Sequence, residues 1–546
     1  MGKTRSGRSR KNSACARPAL FMPYSSKDWS DWKSDSMSLY NLDLSYEDFR
    51  KVLLPDDVLT AVPGLYFSPR QGRVLIVEPE TASWLVLSQT EFSFLVNCGL
   101  LQPGSSTRSW IKLGQLQAGL DSGRQDELGR RLYRLFIRNM ITINGYGYHQ
   151  PSQLWAVQKY PHYFNLHLTE GCNLACRYCR VGDGFIPADM MSVDTCKKII
   201  RRVIEEIPGT KIIIGFHGGE PLLNLEGVVE GSKYAREVAR SAGKEVTLSL
   251  QTNGVLLRQH SNLLQELKVE VGVSIDGPAA IHNRHRVFGS GRGSFEEVMA
   301  GIQAARQAGL NPGYLAVVHN PDEYLLVARF MVETLGATSF RLNFSCYEGR
   351  AKTKLDFDPT RAAAFARRWL ELIDFVLEHH SRTGLWLSLD DLNLFVAHLL
   401  TKDRPHMCYR SPCGAGNAIL GFGADGKIYL CEELVGKPEF CLGDINTARP
   451  LVELLDNSEV YARVAEQRKV DQVPACADCP WRRFHGAGCL NKSFEYFGDL
   501  EHRDPMCHFY RVIFEELMWK LNDHPELVNL ISYYKKYIKV QNDWLA

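Results

Sequence analysis

The sequence predicts an α/β protein. An open barrel of about six strand–helix units lies between a small strand-and-helix module and a cysteine-rich domain. Three observations carry this reading. From about residue 160, apolar runs of strand period alternate with amphipathic helical runs, the signature of a parallel sheet with right-handed crossovers. Before it, residues 50–149 read as strands, then helices, then a closing strand. After it, residues 408–507 lose periodicity while Cys, Gly and Pro rise.

In order along the chain, residues 1–48 form a basic, Ser-rich tail. Its start, "MGKTRSGRSRKNSACARP", holds six basic residues and no acidic one, which predicts a solvated, disordered segment. A transit peptide is the weaker alternative, because no amphipathic apolar face is visible. Residues 49–150 form the first module. "RVLIVEP" and "SWLVLS" read as a strand pair. Ser88 and Glu91 form a capping box ahead of Phe92, Phe94 and Leu95. "DELGRRLYRLFIRN" is a second helix and "MITING" a short closing strand, a winged-helix-like layout.

The barrel spans 158–350, with strands at "FNLHLTE", "KIIIGFHGG", "EVTLSLQTNG", "VEVGVSIDG", "GYLAVVHN" and "SFRLNFS". That is fewer than the eight units of a closed barrel. In such sheets reactive groups sit where strands end, and Cys172, Gly218, Asn253 and Asp276 all follow strands. Residues 351–405 are a helical bridge, 406–510 the cysteine-rich domain, and 511–546 terminal helices.

Composition excludes several classes. The 45% hydrophobic and 23% charged content is that of an ordinary globular chain, and a net charge of +2 gives no global field for nucleic acid or membrane. No apolar stretch reaches the length of about 18 residues that a spanning helix needs. The basic N-terminus lacks the apolar core of a secretory signal. Of 15 cysteines, ten fall in two groups, and Cys15, Cys98, Cys196, Cys346 and Cys441 are scattered. Grouped cysteines without a secretory signal read as metal ligands in a reducing compartment, so a cytoplasmic location is expected.

The first group, "LTEGCNLACRYCR", spaces Cys172, Cys176 and Cys179 as C-x3-C-x2-C on a loop after a strand. Three thiolates can hold three irons of a [4Fe–4S] cluster and leave the fourth iron for a substrate or cofactor. A structural zinc site wants four ligands. The stretch resembles the signature of radical S-adenosylmethionine enzymes, which implies a partial (β/α)6 TIM-like barrel and S-adenosylmethionine as cofactor. "GGEP" at Gly218, Gly219 and Glu220 resembles the family loop that meets the methionine part of the cofactor. Two glycines allow close backbone approach, and Glu220 can accept from an ammonium. "QTNG", with Asn253, and "SIDGP", with Ser274 and Asp276, match further family strand ends; Ser274 and Asp276 are expected to face the ribose or the reacting centre. In this family an electron from the cluster cleaves the sulfonium, and a 5′-deoxyadenosyl radical takes a hydrogen from substrate.

The second group resembles the SPASM extension. Cys413, Gly426 and Cys431 fit its first part, Cys476 and Cys479 the next pair, and Cys489 and Cys507 the rest, with Cys408 an extra upstream ligand. His485 falls where the pattern calls for cysteine. The resemblance implies two auxiliary [4Fe–4S] clusters. Cys408, Cys413, Cys431 and Cys489 would hold one; Cys476, Cys479 and Cys507 would hold the other, with His485 at the fourth place. Imidazole can replace thiolate on iron, and a Cys3His zinc site is the rival for that half. Glu432 stands where sulfatase-maturating relatives carry an Asp that serves as base. It is either a general base or a surface carboxylate.

Members with this extension mostly modify peptides or proteins, and the first module resembles, in layout, a peptide-leader recognition domain. The expected function is therefore maturation of a ribosomally made precursor peptide by a crosslink of cyclophane or thioether type. Leader binding by strand addition and a flavodoxin- or ferredoxin-type electron donor are part of that expectation. The alternatives are an anaerobic sulfatase-maturating, formylglycine-generating enzyme and a non-catalytic iron–sulfur carrier or scaffold.

Overall fold

The structure, a computed structural model, describes residues 44–104, 109–148, 159–181, 189–345, 349–353, 359–401 and 406–531. The expected tail up to residue 43, Cys15, Cys346 and the chain beyond 531 lie outside the described residues. The chain divides into two compact units, 1–150 and 151–546. No helix among the described residues is long and apolar enough to cross a membrane.

The first unit runs α1 (Tyr46–Val52), β1 (Val58–Ala61), β2 (Tyr66–Arg70), β3 (Arg73–Glu78), β4 (Ser83–Ser88), α2 (Gln89–Asn97), β5 (Trp110–Lys112), α3 (Leu113–Gln117), α4 (Ser122–Ile137) and β6 (Ile141–Ile143). It holds two antiparallel three-stranded sheets, β2-β3-β4 and β5-β1-β6. The Ser88–Glu91 capping box forms in both directions and starts α2. Helix α4 begins four residues earlier than the sequence suggests. The Asp121 side chain caps it by accepting from the Arg124 amide at 2.9 Å, a signal stronger than the apolar period. Strands β1 and β5 and helices α1 and α3 are too short to show a period.

The second unit carries the alternation. Its elements are β7 (Tyr163–Thr169), α5 (Val193–Glu206), β8 (Lys211–Gly218), α6 (Leu225–Ser241), β9 (Glu245–Thr252), α7 (Leu257–Glu266), β10 (Glu270–Ser274), α8 (Ala279–His285), α9 (Phe295–Gln307), β11 (Gly313–Val318), α10 (Tyr324–Arg329) and β12 (Ser339–Phe344). Strands β7 to β12 pair in parallel, each beside its predecessor. Helix α11 (Pro359–Thr383), the two-residue β13 (Ser388–Leu389) and α12 (Asp390–Leu400) follow.

The cysteine-rich segment extends this same sheet. It forms β14 (Ile419–Phe422), β15 (Lys427–Tyr429), β16 (Cys441–Asp444), α13 (Leu451–Asp456), α14 (Glu459–Gln467), α15 (Arg482–His485), α16 (Leu490–Phe497) and α17 (Cys507–Asp523). β14 pairs in parallel with β7, giving a ten-stranded order β13-β12-β11-β10-β9-β8-β7-β14-β15-β16. The free edge of the first barrel strand is therefore covered, and the auxiliary cysteines are tied to the strand that leads into Cys172.

Alternation along β7 and β8 sorts the side chains. Phe164, Leu166, Ile212, Ile214 and Phe216 are buried on one face, and Asn165, His167, Gly215 and His217 point to the other. The second face lines a polar lumen, and its chemistry follows from those residues.

Candidate active site

The loop after β7 is held from outside itself. The amides of Ala175 and Arg177 donate to the carbonyls of Val287 (2.7 Å) and His285 (2.9 Å), and the Cys179 carbonyl accepts from Arg350 N at 3.0 Å. The Leu174 amide and Asn253 Nδ2 approach the Cys172 sulfur at 3.4 and 3.6 Å. Burial pushes the Cys172 thiol up to about 12 and the Cys176 thiol to about 11, the latter opposed by Arg286. Without a metal these thiols keep their protons. Iron would replace the protons and supply the positive charge that stabilises buried sulfur.

Gly218 and Gly219 fit close backbone approach. A Cβ at Gly218, where φ is +113°, would lie 2.2 Å from the Thr169 carbonyl oxygen, and one at Gly219 2.1 Å from that of Gly171. Any other residue would push the two loops apart. Asn253 and Ser274 line the cavity beside them. Asn253 donates to Asn173 Oδ1 at 2.7 Å, and Ser274 accepts from Gln251 at 2.9 Å.

Two of the residues expected at the cofactor, Glu220 and Asp276, also bond within the chain. Glu220 is fully buried and its carboxylate is already occupied. It accepts from the Leu222 amide (3.1 Å), the Thr252 hydroxyl (2.8 Å) and the Asn253 amide (2.8 Å). Burial raises its pKa to about 7 against those three bonds. Its side chain ties the ends of β8 and β9 together through these three bonds. Asp276 is likewise fully buried. It accepts from the Tyr178 hydroxyl (2.7 Å) and the Val317 amide (3.0 Å) and pairs with Arg286 at 3.1 Å. It braces the cysteine loop through Tyr178 and does not face the cavity.

A cavity of about 380 Å³ joins the two cysteine groups, touching Cys172, Cys176 and Cys179 on one side and Cys408 and Cys489 on the other. In the auxiliary region Cys408 and Cys489 share a hydrogen bond. It holds the Cys408 proton in place and makes Cys489 the more acidic partner. Cys413 and Cys431 complete this neighbourhood; burial raises both thiols, and Glu432 and Glu433 raise Cys431 further. Cys476, Cys479 and Cys507 form a second neighbourhood, with burial pushing Cys476 to about 11 and Cys507 to about 12. His485 is buried, and burial holds its imidazole neutral, with a pKa near about 4. Among the described residues no three His, Cys, Asp or Glu side chains converge closely enough to share one metal ion.

Two residues that sequence reasoning missed organise this region. Arg468, fully buried, donates to four carbonyls: Leu500 (3.0 Å), His502 (2.7 Å), Ala487 (3.0 Å) and Gly488 (3.1 Å). Asp504 accepts from the amides of Cys489 (3.2 Å) and Met506 (2.8 Å), and its carbonyl accepts from Cys507 N at 2.9 Å. The two residues lock the chain around Cys489 and Cys507. A lone Arg and Asp in an aperiodic stretch give no sequence signal.

Glu432 lies in the barrel lumen, a cavity of about 1020 Å³, and not on the outer surface. Asn165 donates to it, and His217 Nδ1 stands 3.2 Å from its carboxylate. Burial would raise the Glu432 carboxyl, but His217, Arg180, His167 and Arg341 together hold it below the usual range. Burial depresses His217 to about 4 despite Glu432. The pair is therefore a neutral imidazole beside an ionised carboxylate at neutral pH.

Residues 166–325 match the Radical SAM superfamily and residues 413–480 match SPASM, an iron-sulfur cluster-binding domain. A serine-type anaerobic sulfatase-maturating enzyme of Klebsiella aerogenes is 36% identical over 336 residues, 58% of this chain and 76% of that one. An AdoMet-dependent heme synthase of Methanosarcina barkeri is 25% identical over 374 residues, 64% of this chain and 97% of that one. In fold, the chain is similar to native anSMEcpe with bound AdoMet (TM-score 0.57, 22% identity, 68% of this chain and 99% of that one). The chain thus belongs to the radical SAM superfamily, as a SPASM-bearing enzyme homologous to the anaerobic sulfatase-maturating enzymes. It uses [4Fe–4S] clusters and S-adenosylmethionine.

Proposed function

We propose that this enzyme is a maturase of a ribosomally made peptide and installs a crosslink of cyclophane or thioether type. In this reading Cys172, Cys176 and Cys179 hold the cluster that binds S-adenosylmethionine. Gly218, Gly219, Asn253 and Ser274 line the cofactor's place. Bound S-adenosylmethionine supplies a hydrogen-abstracting 5′-deoxyadenosyl radical when a flavodoxin- or ferredoxin-type donor delivers an electron. The chain's part is to hold the target C–H in the cavity between the cysteine groups and to exclude water. Glu432, ionised next to Cys431 in the lumen that shares His217 and Arg180 with that cavity, is the candidate proton acceptor for the product-forming step.

The observation that carries the peptide reading is the separately folded first unit, which precedes the family match at residue 166. Among the described residues β2 and β4 are the outer strands of a three-stranded sheet in this unit, and strand addition is the mode by which such a sheet would take an extended peptide. A second reading, formylglycine formation on a sulfatase, is favoured by the 36% identical relative. Two structures of anSMEcpe hold peptides, which supports a peptide substrate under either reading.

Co-expression with any short peptide gene found beside its own, followed by mass spectrometry, tests the proposal. A crosslinked peptide lighter by two hydrogens, and inert to hydrazide capture, is expected. An aldehyde captured by hydrazide would replace the first reading with the second. Peptide binding that survives deletion of residues 1–150 would remove the leader-binding role from the first unit.

A further inference from the structure

We infer that His485 completes the second auxiliary cluster as its fourth protein ligand, through Nε2, and so makes the two auxiliary clusters chemically unequal. This rests on the SPASM identity of the region and not on the peptide reading, so the two fail independently.

The donor sets themselves pose the question. Cys408, Cys413, Cys431 and Cys489 already supply four thiols at the first site. Cys476, Cys479 and Cys507 supply three at the second. His485 is only 4% exposed, and its Nε2 has no hydrogen-bond partner. A buried, unpartnered ring nitrogen is destabilising, so natural structures rarely leave one without a purpose. An iron that lacks its fourth protein ligand is a partner of the right kind, because imidazole replaces thiolate on iron–sulfur clusters.

The surroundings hold the ring for that purpose. Helix α15 ends at His485, and Gly486 turns the chain left-handed (φ +62°). The imidazole packs on Tyr510, with centroids 4.2 Å apart and planes at 31°. Tyr510 stands three residues after Cys507 on α17, on the same helical face. Gly488 makes the space: a Cβ there would sit 2.8 Å from both Cε1 and Nε2 of His485. Arg468 and Arg503 flank both His485 and Cys476, and Asp504 flanks both His485 and Cys507. Lys492 and Asp504 also flank Cys489 of the first set, so these charges surround the ring where the two sets adjoin. Replacing one thiolate by neutral imidazole raises a cluster's potential, so the second cluster would be the more oxidising of the two.

Pulsed EPR on the full-length, anaerobically reconstituted enzyme tests this. It is run without S-adenosylmethionine, whose amine would bring its own nitrogen. After reduction, one auxiliary cluster should show coupling to a directly bound nitrogen, and isotope labelling of histidine should change that coupling. His485→Cys should keep the iron content, abolish the coupling and move one midpoint potential lower. Absence of any histidine-derived coupling in the unsubstituted enzyme would overturn the assignment. So would a coupling that survives His485→Cys. The labelling arm needs no variant, so misfolding of His485→Cys would not protect the idea.

Discussion

The two cysteine regions solve the same physical problem differently. Both must hold thiols where burial penalises the thiolate, as it does at Cys172 and Cys176 in one region and at Cys413, Cys431, Cys476 and Cys507 in the other. The barrel loop borrows its rigidity from regular structure. Strand β7 delivers Cys172, the end of β8 closes on it through Gly218 and Gly219, and the Tyr178–Asp276–Arg286 set pins the loop to β10 and β11. In the auxiliary region the stretch from Cys476 to Cys489 holds only short elements, a 3-10 turn at Pro474–Cys476 and the four-residue α15. Its order comes from Arg468 and Asp504, which satisfy backbone groups that helices and strands would otherwise satisfy. Where the backbone pairs with itself, the thiols are passengers on a scaffold. Where it does not, two side chains and the bound metal must be the scaffold.

This comparison breaks most sharply at Cys176. Cys176→Ala should reduce deoxyadenosine formation with dithionite to background, while the auxiliary region keeps its iron. Iron analysis beside product chromatography checks both halves. If auxiliary iron is lost as well, the two regions are not separable scaffolds.

The reverse experiment is Arg468→Met. It removes a donor from four carbonyls; Ala487 keeps the Asp504 amide and the His502 carbonyl is part-buried, so the cost of about 1–3 kcal/mol per unsatisfied group falls on the Leu500 and Gly488 carbonyls. Auxiliary iron should fall by more than half after reconstitution, whereas the cluster bound by Cys172, Cys176 and Cys179 should remain, as read by the EPR signal that responds to S-adenosylmethionine. Equal loss from all sites would mean that Arg468 supports the whole unit.

How far each region was legible in the sequence follows from the same contrast. All six barrel strands were readable because alternation and strand length repeat, and "GGEP" and "QTNG" lie at their ends. The ligand spacing of the auxiliary cysteines was readable as a pattern, but the pairing of β14 with β7 was not. A four-residue strand in a Gly-rich stretch has no period to detect. The bonds that Glu220 and Asp276 make within the chain were not legible, for a different reason. A carboxylate at a strand end reads the same whether it faces a ligand or accepts from the next loop, and only the three-dimensional donors distinguish the two. Arg468 and Asp504 were invisible because single polar residues in aperiodic sequence carry no signal at all.

A smaller effect separates the barrel by pH. His282 is fully buried, accepting from the Asp276 amide at 3.3 Å and contacting the Ser294 hydroxyl at 3.0 Å. Burial lowers its pKa to about 4 from 6.5. The unfolded chain binds this proton more readily than the folded one. His282 therefore contributes stability above pH 6.5 that is lost as pH falls towards about 4, worth about 3 kcal/mol for this group. His282→Gln should flatten the melting-temperature curve across that window. An unchanged slope would place the acid sensitivity on other groups.

The smallest test lies in the first unit, which has no cysteine ligands and serves as the control for both regions. Its helix α2 starts from the reciprocal Ser88–Glu91 cap, with Ser88 Oγ accepting from the Glu91 amide at 3.2 Å and Glu91 accepting from the Ser88 amide at 2.9 Å. Arg131 and Arg134 stand 3.5 and 3.7 Å from the same carboxylate, so Glu91 also links α2 to α4. Ser88→Ala removes one half of the cap and should cost about 1 kcal/mol. Because the first unit folds on its own contacts, the loss should appear in its own unfolding transition and leave the iron content and the deoxyadenosine yield unchanged. A fall in either would show that the stability of the first unit is coupled to the metal-bearing unit, and the contrast between the two cysteine regions would then have to be drawn across the whole chain.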